Sequence, residues 1–116
     1  MSEVVIYHNP RCSKSRQTLS LLEENGLTPT IRLYLDNPPT VAELKKVVKM
    51  LGISVGDLIR TKEALYKELG LDANNHSDAD LLQALHDNPK LIERPIVING
   101  QQARIGRPPE NVLDII

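Results

Sequence analysis

One segment gathers side chains that could do chemistry together: His8-Asn9-Pro10-Arg11-Cys12-Ser13-Lys14-Ser15-Arg16. Cys12 is the only cysteine in the 116 residues. It stands between an apolar run ending at Tyr7 and a helical pattern beginning near Ser13, so it falls at or next to a helix N-cap. Open N–H groups and the helix dipole favour an anion there, which raises the thiolate fraction. Arg11, Lys14 and Arg16 add positive charge close by. A lone cysteine is more often a buried core side chain, yet a core cysteine does not usually sit in a polar, cationic loop.

Spacing sorts the remaining cysteine chemistries. A zinc site needs about four ligands, and His8 and Cys12 have no second Cys pair to complete one. Dithiol redox chemistry needs Cys-x-x-Cys, but the partner position is Ser15. A phosphatase-type loop would want an arginine where Thr18 stands. A single-thiol nucleophile remains, and any disulfide it makes must be with another molecule. His8 is placed to orient or deprotonate that thiol, although a strand-end histidine is as often a turn residue. His76 and His86 receive no function, and Tyr7 and Tyr34 are expected to pack.

Three arginines with no obvious acid partner extend the constellation. Arg60 follows an apolar helical turn, Arg94 precedes Pro95, and Arg107 precedes Pro108. From Lys90 to Arg107 there are four basic residues against one acid, Glu93, so that stretch is locally cationic. Guanidiniums converging on a thiolate would form a site for a tetrahedral oxyanion, because arginine pairs with such oxygens bidentately. Any one of them alone reads as a solvated surface side chain.

The elements that must position these groups follow from the pattern. Glu3 to Tyr7 reads as a buried strand, Ser13 to Asn25 as a helix stopped at Gly26, and Thr30 to Leu35 as a second strand closed by Asn37-Pro38-Pro39. Such a β-α-β unit usually has parallel strands. Thr40-Val-Ala-Glu43 is a capping box opening a helix to about Leu51, with Gly52 as its stop. Ser54–Leu58 and Lys62–Leu69 read as short helical pieces. Ser77-Asp-Ala-Asp80 caps a helix carrying Leu81, Leu82 and Leu85 that Pro89 ends. Thr40 to Asn88 is thus helical. Pro95–Ile98 is a strand, Asn99-Gly100 a hairpin signal, and Gln102–Ile105 the antiparallel return. Pro108, Pro109 and Glu110 suit the first turn of a last helix. The order predicts an α/β fold, a four-stranded mixed sheet of thioredoxin-like order with a helical insertion at about 40–90, in one domain spanning 1–116.

Composition bounds the functions this frame can carry. Fourteen basic against 15 acidic residues give a net charge of -1, which excludes a generally basic nucleic-acid binder. Three Tyr, no Phe and no Trp leave little for a base-stacking platform. Hydrophobic residues at 41% and charged residues at 25% argue for a folded globular chain. No apolar run is long enough to span a membrane, and the N-terminus lacks signal-peptide organisation. With one cysteine as well, the expected location is the cytoplasm.

Three motifs in order, Tyr7-His8-Asn9-Pro10-x-Cys12-x-x-Ser15-Arg16, Tyr34-Leu35-x-Asn37-Pro38-Pro39 and Arg94-Pro95-Ile96-Val97, closely resemble the glutathione- and glutaredoxin-dependent arsenate reductases, the ArsC family. The likeness covers essentially the whole chain. It implies reduction of arsenate to arsenite with Cys12 as nucleophile. Arg60, Arg94 and Arg107 would bind the oxyanion, and His8 and Ser15 would help activate the thiol. It further implies a cis bond at Arg94-Pro95, glutathione as reducing co-substrate, glutaredoxin as partner, and no bound cofactor or metal. Two alternatives stay open within the resemblance: a thiol oxidoreductase of the same family acting on another substrate, and a non-enzymatic protein-binding regulator of the Spx-like branch. Ser15 and the three arginines count against the second, since that branch usually carries Cys-x-x-Cys.

Overall fold

The computed structural model describes residues 3–71 and 76–116. Residues 72–75, within the stretch expected to be helical, lie outside the described residues. The chain forms two compact units, one made of residues 1–37 and 94–116 and the other of residues 38–93.

The first unit is built on a sheet. Strand β1 (Val4–Tyr7) is followed by helix α1 (Ser13–Glu24) and strand β2 (Thr30–Arg32). Strands β3 (Ile96–Asn99) and β4 (Gln102–Ile105) complete the order β2-β1-β3-β4. β1 runs parallel to β2, as a β-α-β connection requires, and antiparallel to β3, which pairs antiparallel with β4. This is the four-stranded mixed sheet of the thioredoxin-like fold. Val4, Ile6, Leu22, Val97, Val112 and Ile115 form the core, with Leu19, Leu21 and Leu27 packed against it. Burying side chains of this size stabilises by about 1.5–3 kcal/mol each.

Three boundaries differ from the sequence pattern. The second strand stops at Arg32, because the amides of Asp36 and Asn37 both bond the Leu33 carbonyl and turn the chain. Leu33 and Leu35 are exposed beyond that turn, while Tyr34 is buried, so the apolar run was not a continuous strand. In the hairpin, Asn99 pairs with Gln102, which makes Gly100 and Gln101 the loop. Gly100 alone takes positive φ, +64°, as a first turn position of type II′ demands. The last helix is a 3-10 helix, Pro109–Ile115. Pro108 and Pro109 supply no amide, and the first bond seen there is the tight one from Asn111 to the Pro108 carbonyl.

The second unit is helical. α2 (Val41–Leu51) begins with the full capping box: Glu43 N–H donates to Thr40 Oγ1 at 3.1 Å and Thr40 N–H to Glu43 Oε1 at 3.0 Å. A left-handed Gly52 closes it. A 3-10 turn (Val55–Leu58) and α3 (Ala64–Leu69) follow, then α4 (Asp78–Asp87), capped by the Ser77 hydroxyl. Leu44 and Val47 of α2 and Leu81, Leu82 and Leu85 of α4 are buried where these helices pack. Ile59 bridges Ile92 antiparallel, with Arg60 N–H on the Leu91 carbonyl at 2.7 Å. No helix among the described residues is long and apolar enough to cross a membrane.

Candidate active site

The buried stripe of α1 is Ser15, Thr18 and Leu22, one face at helical spacing. Its first two members are polar, so the helix turns a hydroxyl-bearing end toward the loop and an apolar end toward the core. Cys12 is the N-cap of this helix, in extended conformation. It is 8% exposed. Bonds that hold the loop before it include Cys12 N–H to the Asn9 carbonyl at 3.0 Å, Arg11 N–H to Asn9 Oδ1 at 3.0 Å, and Arg16 Nη1 to the Pro10 carbonyl at 2.8 Å.

Two arginines from the far end of the chain meet this thiol. Arg107 donates through Nη2 to Cys12 Sγ at 3.6 Å and through Nε to the Arg94 carbonyl at 2.7 Å. The Arg94 side chain also bonds the sulfur, and its Nε and Nη1 are buried. Both Arg94-Pro95 and Arg107-Pro108 are cis.

The electrostatics favour thiolate. Burial is the largest single influence on Cys12 and opposes ionisation, but it is outweighed by the Ser15 and Lys14 N–H groups and by the charge and hydrogen bond of Arg94. The thiol therefore sits below its ordinary pKa. No acidic residue occupies the first turn of α1 to counter this.

His8 and Ser15 are both buried, with His8 Nδ1 and Ser15 Oγ 2.6 Å apart. Burial, and then the charge of Arg16, lower the imidazole pKa. Ser15 Oγ already accepts the Asn9 N–H at 3.0 Å. Its own proton is thus available for Nδ1 of a neutral imidazole, which leaves the histidine proton on Nε2. The bond from His8 runs to the Ser15 hydroxyl, while the Ser15 amide serves the sulfur.

Arg60 lies in the helical unit, and there the reading of an arginine without an acid partner is corrected. It is ion-paired with Glu63 and stands 4.0 Å from Glu93, and Lys90 Nζ is 3.7 Å from Glu63. The pairing with Glu63 was available in the sequence as an i,i+3 spacing. His86 Nδ1 lies 2.9 Å from the Pro39 carbonyl oxygen and His76 Nε2 lies 2.8 Å from that of Gly70, both in structural contacts.

The contact between Thr18 and Gly106 escaped sequence reasoning. Thr18 is fully buried on α1, and Gly106 sits against it. The available signal was Gly106 directly before Arg107, a glycine where β4 ends.

A family model described as the ArsC family matches residues 7–115. The chain is 56% identical to the uncharacterized protein YfgD of Escherichia coli over 98% of its own length and 97% of that protein's. It is 55% identical to an arsenate reductase of Haemophilus influenzae, covering 97% of this chain and 98% of the relative. Among solved structures, an arsenate reductase from Vibrio cholerae superposes with a TM-score of 0.97 at 53% identity, covering 99% of this chain and 98% of the other.

Proposed function

The chain belongs to the ArsC family, and we propose that it is an arsenate reductase that turns arsenate into arsenite through the Cys12 thiolate. The observation that carries this reading is the 3.6 Å approach of Arg107 Nη2 to Cys12 Sγ, with Arg94 beside the same sulfur. A nucleophile and the cations for an oxyanion thereby share one small volume.

Arg94 and Arg107 hold the arsenate oxygens. Cys12 sulfur attacks arsenic and one oxygen leaves as water. A glutathione thiol then adds to arsenic. The arsenic gains two electrons as the two sulfurs, losing one each, join in a Cys12–glutathione disulfide and arsenite departs. A glutaredoxin thiol takes over the glutathione sulfur, and the electron pair of the broken bond returns to Cys12 as thiolate. Ser15 presents its amide to the sulfur, and His8 fixes the Ser15 hydroxyl. No resident cofactor enters this scheme, and the reaction belongs in a reducing cytoplasm.

The test is arsenite production with glutathione and glutaredoxin. Turnover that vanishes in Cys12→Ser is the expected result; turnover that persists in that variant sinks the reading.

A further inference from the structure

The reading of Cys12, Arg94 and Arg107 as the reacting constellation raises the question of what sets two distant arginines against one sulfur. Gly106 is the only residue between β4 and Arg107. Its φ is not positive, unlike that of Gly26, Gly52, Gly70 and Gly100, so glycine is required there for room rather than for backbone freedom. A Cβ at this position would lie 2.5 Å from Thr18 Oγ1, 3.1 Å from Thr18 Cγ2 and 2.9 Å from Pro95 Cγ. Ordinary non-bonded carbon contacts are about 3.5–4.0 Å.

Neither neighbour can step aside easily. Thr18 is fully buried, and its hydroxyl donates to the Lys14 carbonyl at 2.8 Å one turn back on α1. Pro95 accepts the Gly106 N–H on its carbonyl at 2.9 Å, so residues 95 and 106 move together. Each is followed or preceded by a site arginine, and Arg107 Nε is tied to the Arg94 carbonyl. Helix α1, with Cys12 at its N-cap, is thus gauged against both arginine segments at the contact of Thr18 with Gly106.

We propose that Gly106, by lying directly on Thr18, is a positioning residue that sets the Arg94 and Arg107 guanidiniums against Cys12. An added methyl pushes the arginine segments from the helix, and the sulfur loses cationic contact while the core of the sheet unit stays formed. This proposal rests on the arsenate-reductase reading only for its consequence in turnover. Its main test involves no arsenate, so the two fail separately.

The experiment is the rate of Cys12 alkylation against pH for the parent, Gly106→Ala, Thr18→Ala and the double variant, alongside melting temperature. Gly106→Ala is expected to move the profile's midpoint up by about one pH unit, a roughly tenfold loss of thiolate below that midpoint. Thr18→Ala removes two of the three crowding atoms. With Pro95 Cγ still 2.9 Å from the new Cβ, the double variant should lie within about 0.5 pH unit of Thr18→Ala alone, a partial rescue that mere loss of stability would not produce. Should Gly106→Ala not fold, the double variant against Thr18→Ala carries the test unchanged. A folded Gly106→Ala with the parent's profile, or a double variant displaced as far as Gly106→Ala or about a full unit from Thr18→Ala, overturns the proposal.

Discussion

In the sheet unit, Arg107 gives one N–H to the Arg94 carbonyl and another to the Cys12 sulfur. In the helical unit, Arg60 is ion-paired with Glu63 and approached by Glu93, with Lys90 drawn to Glu63 as well. The helical cluster thus holds two cations and two carboxylates and is balanced by its own side chains. At Cys12, Arg94 and Arg107 meet the sulfur at a helix N-terminus whose first turn has no acid, with Arg11, Lys14 and Arg16 close by in the chain. Arg107 is thus bonded to a carbonyl and to the nucleophilic sulfur, whereas Arg60 is bonded to carboxylates. The two units teach that arginine count alone does not make an oxyanion site. The partners decide.

The comparison breaks most sharply at the lysine substitutions. Arg107→Lys and Arg94→Lys keep the charge but lose the planar fork, and each should cost on the order of 1.5–3 kcal/mol in transition-state binding, roughly ten- to a hundred-fold in kcat/KM. Arg60→Lys should cost less than either, about threefold, because its pairs survive the change in part. Steady-state kinetics with melting temperatures check this ranking, and Arg94→Lys and Arg107→Lys variants both indistinguishable from the parent would dissolve the pocket.

A second expectation concerns pH. With the folded Cys12 pKa below the unfolded one, the thiolate's contribution to stability is fully present above the unfolded value and fades as pH falls toward the folded value. His8, also lowered, keeps its imidazole neutral in the fold, so stability declines as pH drops below about 6.5. Melting temperature against pH should lose the first dependence in Cys12→Ser and the second in His8→Asn. An unchanged alkaline limb in Cys12→Ser would show that the sulfur is not held as an anion.

The smallest effect on turnover belongs to the helical unit's frame. Thr40→Ala removes the capping-box hydroxyl that accepts the Glu43 amide. It should cost about 1 kcal/mol of stability by denaturant titration, with kcat/KM unchanged. A kcat/KM loss as large as that of Arg107→Lys would contradict the division of labour between the units.

Local chemistry made much of this legible. The Thr40 capping box, the Gly26 and Gly52 stops and the cysteine at a helix start are signals carried by neighbours in sequence, and the structure has each of them. Long-range facts were not carried that way. Nothing near Arg107 in the chain says that its Nη2 will meet Cys12, and nothing around Thr18 announces a buried hydroxyl against Gly106. The Leu33–Leu35 stretch misled because its apolar residues suggest burial, whereas β2 is an edge strand whose chain turns at Leu33. Arg60 misled for the opposite reason, since its partner Glu63 was in plain view and only the geometry gives the pair weight.

The most direct measurement is the mass of Cys12 after a reaction with arsenate and glutathione but no glutaredoxin. The account predicts a glutathione disulfide on Cys12 that forms only when arsenate is present and appears in step with arsenite. Arsenite accumulating while the Cys12 thiol stays free would contradict it.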